Sequence, residues 1–218
     1  MPRALFEKTG NARYISHLDL MRLFQRAFKR SGLPLTHTQG FNPRPSVSIA
    51  LPLSLGIESH CELLDFELEG IVDCDEIRMR LNNNLVEGVR VLEVYELMDK
   101  LKNLALLRSR LTLEYDSRIT DEQVAEIAKL FSQSELIVEK KGKNGTTQQN
   151  IIPMIRRLSV ERITDREVGI DVLHCCQNPS LNPMLISAAI AKYLPDLAAD
   201  YTRCCREELF DERENIFR

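Results

Sequence analysis

The sequence predicts an α+β protein of two tandem ferredoxin-like domains, each in the order β-α-β-β-α-β. Three observations carry this reading. The length of 218 residues suits one large domain or two of about 100 residues each. Segments alternating apolar and polar residues interleave with segments of helical period. The same succession of segments occurs twice, in residues 1–98 and again in 107–218.

In the first half, Ala4–Lys8 with Ala12–Ile15 reads as extended. Ser16 is placed to cap a helix, with Asp19 three residues on in the capping-box position. The helix is expected from about His17 to Arg30, stopping at Ser31-Gly32 with Pro34 beyond. Ser46–Leu51 points Val47, Ile49 and Leu51 to one side, and Glu62–Glu69 does the same with Leu64, Phe66 and Leu68. Asp73 with Glu76 opens a second helix through Leu85, and Val89–Leu97 returns as a strand.

The second half repeats the order. Arg110–Tyr115 is a strand, and Thr120 with Gln123 makes a capping box for a helix to about Ser132. Glu135–Lys140 and Ser159–Thr164 flank an irregular insertion containing KKGKNGTTQQ (140–149), which reads as a hairpin turning at Asn144-Gly145. Glu167–His174 alternates as a strand, Pro183 suits a first helical position, and Cys204–Phe210 closes the order. The junction at 98–107 (MDKLKNLALL) reads as a linker or a helix, and the terminal ENIFR as frayed or a short tail.

Composition narrows the class. No apolar run approaches the roughly 18–20 residues of a membrane helix, and MPRALFEKTG has no signal-peptide core, so the expected compartment is the cytoplasm. The six cysteines stand as Cys61, Cys74 and the vicinal pairs Cys175-Cys176 and Cys204-Cys205. None has the spacing of a zinc or iron–sulfur site, so reduced, mostly buried thiols are expected. A contact of Cys175 with Cys204, or Cys176 with Cys205, would require neighbouring strands. Nucleotide-loop, zincin and nucleophile-elbow motifs are absent, and neither a cofactor nor a metal is expected.

Charge is distributed unevenly. Between Arg3 and Gly56, eight basic residues (Arg3, Lys8, Arg13, Arg22, Arg26, Lys29, Arg30, Arg44) face only Glu7 and Asp19. Ile57–Asp75 then holds seven acids and neither Lys nor Arg. On the first helix, Leu20, Met21, Phe24, Ala27 and Phe28 share one side, while Arg22, Arg26, Lys29 and Arg30 share the other. Four such charges are ordinarily a solvated face. Here compensating acids four residues away are missing, which leaves the face available to a polyanion.

The turn HTQGFNPRP follows. Pro43 and Pro45 stiffen it and remove two amide donors. Gly40 permits positive φ. Gln39, Phe41, Asn42 and Arg44 set a flat ring beside amides and a guanidinium, a combination that can stack a base and hold a phosphate. The alternative is a proline-stiffened loop with Phe41 tucked into the core. Tyr14 and Arg13 flank the helix start, where His17 is a weak candidate for acid–base chemistry. A Ser16–His17–Asp19 triad is disfavoured, because the local spacing turns His17 and Asp19 to different helix faces. In the second half, Ile151-Ile152-Pro153 with Arg156-Arg157 echoes the PRP turn, and Lys140, Lys141 and Lys143 are placed to keep an edge soluble or to touch phosphate.

The run Tyr14-Ile15-Ser16-His17-Leu18-Asp19-Leu20-Met21-Arg22, then Gln25-Arg26-Ala27, Gly40-Phe41-Asn42-Pro43-Arg44-Pro45, Leu51-Pro52-Leu53 and Gly56, resembles a radical-SAM-linked bacterial protein family. Its domain occurs beside, or fused to, a radical SAM protein. The likeness is close over residues 3–68 and looser later, at Ile152-Pro153, Pro183 and Thr202-Arg203. The chain departs at His37-Thr38, where the family pattern has Tyr-Ser.

Radical SAM chemistry uses a C-x3-C-x2-C cluster motif that this sequence lacks. The resemblance therefore implies an accessory partner of a radical SAM protein rather than the radical enzyme. Tandem ferredoxin-like domains also resemble the plan of RNA-processing proteins such as the CRISPR repeat endonucleases and some pseudouridine synthases. The leading expectation is a non-enzymatic module that binds or presents tRNA or rRNA. The alternatives are a protein-interaction module without RNA binding, and a metal-independent endoribonuclease using His17.

Overall fold

The first strand, β1 (Pro2–Lys8), is buried along most of its length and lies between two others. A 3-10 turn at Gly10–Tyr14 follows it, so the extended reading of Ala12–Ile15 is corrected. The turn's carbonyls are occupied: Ala12 O accepts from Ile15 N at 2.9 Å and Arg13 O from Gly56 N at 3.0 Å. Helix α1 (His17–Arg30) begins where Ser16 caps it through Asp19 N at 3.2 Å. It ends at Gly32 with φ +67°, where Leu33 N reaches back to Phe28 O. The expected cap, span and stop all hold.

The chain then forms β2 (Val47–Ile49), β3 (Glu58–Phe66), α2 (Cys74–Asn82) and β4 (Val89–Glu96). Strand neighbours run β4-β1-β3-β2, every pair antiparallel. The computed structural model describes residues 1–142 and 145–218, and divides into Met1–Lys102 with Arg218, and Asn103–Phe217. Within the first unit Phe6, Phe24, Phe28, Leu64 and Phe66 meet in one core. Its rings pack Phe6 against Phe24 at 4.8 Å and Phe28 against Phe66 at 4.9 Å. The apolar side of α1 fills this core, which fixes its charged side outward.

The second unit holds β5 (Leu104–Glu114), α3 (Asp121–Leu130), β6 (Ile137–Gly142), β7 (Gly145–Asn150), β8 (Ile155–Thr164), β9 (Glu167–Cys175), α4 (Met184–Tyr193) and β10 (Tyr201–Asp211). Its sheet runs β10-β5-β9-β8, again antiparallel. With β6-β7 set aside as a separate two-stranded hairpin, this matches the first unit's strand order position by position. The insertion expected to be irregular is therefore paired, from Ile137 opposite Asn150 to Gly142 opposite Gly145. The expected turn residue Asn144, together with Lys143, lies outside the described residues. Thr120 and Gln123 form the expected capping box at the start of α3.

The reduced thiols expected from the sequence hold, while two readings it left open do not. Cys175 and Cys204 are not on adjacent strands: β5 separates β9 from β10, with Cys175 opposite Leu106 and Cys204 opposite Leu111. Two strand spacings and five residues of stagger put these thiols well beyond disulfide reach, and the same holds for Cys176 and Cys205. Among the described residues none of the six cysteines forms a disulfide. Nor is the C-terminus frayed. Phe217 is buried and donates its N–H to Leu209 O at 2.9 Å, while Ile216 bridges to Phe210. The tail holds because a large aromatic side chain gains more by burial than the short segment loses in entropy. The junction contains a single 3-10 turn, Leu101–Asn103, before β5 begins.

Candidate functional site: a cationic cleft beside a hairpin

The basic block separates into structural and available cations. Arg3 is fully buried and lies opposite Asp65 in the β1–β3 register, gripping its carboxylate at 2.6 and 3.0 Å and the carbonyl of Asp99 at 3.1 Å. Lys8 is buried with its Nζ on Arg13 O at 3.2 Å. Arg13 lies 3.9 Å from the Glu58 carboxylate and over the Tyr14 ring at 4.9 Å. Arg30 turns to the far end of α2 and donates to Asn84 O at 2.5 Å. The predicted site residues Arg13 and Arg30 therefore brace the fold. Tyr14 is more than half exposed, under the Arg13 guanidinium.

Arg22, Arg26 and Lys29 remain on one exposed edge of α1. Arg22 pairs with Asp19 at 2.9 Å, with both side chains well exposed. The Ser16 hydroxyl first, and Arg22 second, hold the Asp19 carboxyl below the usual carboxylate range. Among the described residues Arg26 and Lys29 form no ion pair. These three cations and Gln25 line one side of a cleft of about 600 Å³. Its other side is Leu33, Pro34, Leu35, His37 and Pro45, with Phe28 in the floor. Glu69 is the single carboxylate among the lining residues.

The far wall is built from the predicted turn. Thr38 N donates to Arg44 O at 2.9 Å, Arg44 N to Thr38 Oγ1 at 3.1 Å, and Ser46 N to Thr36 O at 2.8 Å. His37 bridges Pro45 across this small hairpin. Its base is tied to the end of β3 through Thr36 N to Glu67 O and Glu67 N to Ser46 O. The tip projects: Gln39, Gly40, Phe41, Asn42 and Arg44 are all exposed, Gly40 takes φ +133°, and Phe41 is as open as an isolated residue, at 106%. Of the two readings of Phe41, the core one fails, because the ring has no wall to pack against.

His17 begins α1, half-buried, and is absent from the cleft lining. Ser16 Oγ donates to Asp19 Oδ2 at 2.7 Å and Asp19 Oδ1 accepts from Arg22, so neither serves the His17 imidazole. Gln25, His37 and Glu69 are not among the predicted site residues. Gln25 was findable from its position three residues after Arg22 on the same helix side. His37 and Glu69 reach the cleft only through the hairpin pairing and the register after β3, which the sequence pattern does not display. Arg156 is exposed, and Arg157 is paired with Glu214 at 2.7 Å.

Fold and site together describe an α+β protein with a cationic cleft on its first unit. The chain belongs to the family described as "Uncharacterized protein conserved in bacteria (DUF2344)", whose model matches residues 2–183. No curated protein matches it. Among solved structures it is similar to a chain of "Crystal Structure of a Cbf5-Nop10-Gar1 Complex", at 11% identity and a TM-score of 0.55. That match covers 97% of this chain and 50% of the other, so the protein spans about half the length of that relative in fold. A second similar structure, an unknown protein from Galdieria sulphuraria, has 9% identity, a TM-score of 0.27 and coverage of 94% and 96%.

Proposed function

We propose that this protein is a non-enzymatic accessory module that binds RNA of the tRNA or rRNA class and presents it to a radical SAM protein. One observation carries the RNA part: Arg22, Arg26 and Lys29 share a single cleft with the base of a hairpin whose tip exposes Phe41, Asn42 and Arg44. Cations aligned on one helix edge attract phosphates, and an open aromatic ring can stack on a base. The partner part rests on the sequence likeness of residues 3–68 to the radical-SAM-linked family. A role inside an assembly is in keeping with the Cbf5-Nop10-Gar1 structure, a protein complex that contains a chain of similar fold.

Affinity for bulk tRNA and rRNA fragments, measured as salt rises from about 50 to 200 mM, tests the reading. Several phosphate contacts predict a loss of one or more orders of magnitude. A flat response contradicts it.

A second reading, a protein-interaction module without RNA, is favoured by the apolar wall of Pro34, Leu35 and Pro45 below the exposed Phe41. Capture of a radical SAM protein that survives nuclease and is lost on Phe41→Ala would select it. An endoribonuclease using His17 has less support, since His17 lies off the cleft. His17→Ala is expected to leave any RNA cleavage unchanged.

A further inference from the structure

We infer that the cleft selects single-stranded RNA by admitting one unstacked nucleotide between α1 and the hairpin base, an inference that rests on the RNA reading above. The two walls differ in chemistry. Arg22 and Lys29 are seven residues apart on α1, about 10 Å along its axis. That spacing lets the cationic wall reach the phosphates on either side of one inserted nucleotide. The opposite wall, Pro34, Leu35 and Pro45, is apolar and suits the face of a base. Its volume of about 600 Å³ lies within the range of pockets that bury a small ligand.

A duplex fits this shape poorly. It presents phosphates on a convex surface and keeps its bases stacked inside, so it would meet the three cations and leave the apolar wall empty. Insertion of a base from a paired helix also costs the unstacking and unpairing that a loop or single strand has already undergone. The rim supplies the third element of single-strand recognition. Phe41 projects fully into solvent, ready to stack the next base, and Asn42 and Arg44 stand beside it. Charge complementarity commits the cleft to this occupant, since Glu69 is the single acid lining it.

Fluorescence anisotropy with a labelled oligoribonucleotide of about 12 nucleotides, compared with the same strand annealed to its complement, tests the inference. The single strand is expected to bind at least about tenfold more tightly. His37→Trp, which places bulk on the exposed hairpin base at the cleft mouth, is expected to erase that preference while retaining weak, salt-sensitive binding to both. Phe41→Ala reads the rim independently and should weaken the single strand alone. Equal binding of the two forms by the native protein overturns the single-strand inference and leaves RNA binding standing. Absence of binding to either overturns both.

Discussion

Two arginine-bearing regions of this chain use their charge in opposite ways. In the second unit several guanidinium groups are engaged across the sheet and its turns. Arg108 grips Asp171 with contacts of 2.7–3.0 Å, Arg110 meets Glu161, Arg162 meets Asp121 and Asp165, and Arg203 meets Glu114 and Glu167. The strand register brings this about, by setting Arg110 opposite Asp171 and Arg108 one diagonal away. In the first unit, α1 turns Arg26 and Lys29 into a cleft where, among the described residues, neither forms an ion pair and Glu69 is the one carboxylate of the lining. The equivalent helix of the second unit, α3, exposes three acids, Asp121, Glu122 and Glu126, and one cation, Lys129. Two halves with the same strand order thus differ in charge placement: one pairs several of its arginines with carboxylates, the other leaves Arg26 and Lys29 outside any ion pair among the described residues.

The sharpest way to break this contrast is to remove each set in turn. Arg22→Ala/Arg26→Ala/Lys29→Ala is expected to lower RNA affinity by about a hundredfold or more. The slope of log affinity against log salt should fall by roughly two to three, about one for each phosphate no longer neutralised. Arg108→Ala/Arg162→Ala should leave affinity unchanged and shift stability little, because exposed ion pairs are screened by solvent. Equal losses from both sets would erase the distinction.

A thermodynamic difference follows from the second unit's interior. His174 is fully buried, its Nε2 at 2.9 Å from Ser109 Oγ and its Nδ1 at 3.1 Å from Cys175 O. Burial pushes its pKa down to about 4, despite the opposing effect of the Cys175 carbonyl, and the Arg206 charge adds to the depression. Between the unfolded value of about 6.5 and this folded value, the unfolded chain holds a proton that the folded chain lacks. The stabilisation is therefore complete above about pH 6.5 and is lost as pH falls toward 4, by on the order of 3 kcal/mol at most. Urea unfolding across that window should show the loss, and His174→Phe should flatten it.

At the rim, Phe41→Ala is expected to weaken RNA binding by about tenfold, the value of one stacked base, with no change in thermal midpoint. A fall in midpoint would mean that the ring packs in solution. The smallest effects belong to the matched caps. Ser16→Ala and Thr120→Ala should each cost about 1 kcal/mol by urea unfolding, and only Ser16→Ala should also touch RNA affinity, through the helix that carries the cations.

Much of the frame was legible because local chemistry decides it. Ser16, Thr120 and Gly32 set helix ends within a few residues, and the 2.0 and 3.6 periods sorted strand from helix. The cationic side of α1 was legible for the same reason. Where Arg13 and Arg30 would spend their charge was not, since Glu58 and Asn84 are distant in sequence and meet them only through the fold. The cleft depended on a second long-range fact, the pairing of Thr36–Thr38 with Arg44–Ser46, which swings Phe41 outward and closes a wall opposite α1. The docking of Phe217 and the separation of Cys175 from Cys204 likewise follow from strand order, which a single chain's periodicity does not carry.

Photo-crosslinking of 4-thiouridine RNA, followed by peptide mapping, tests the central claim most directly, because it reports which region touches the ligand. The account predicts crosslinks within residues 22–45, concentrated at Phe41 and the Arg22–Lys29 edge, and their loss in the Arg22→Ala/Arg26→Ala/Lys29→Ala protein. Crosslinks confined to Asn103–Phe217, or none at all under low-salt conditions, would contradict it.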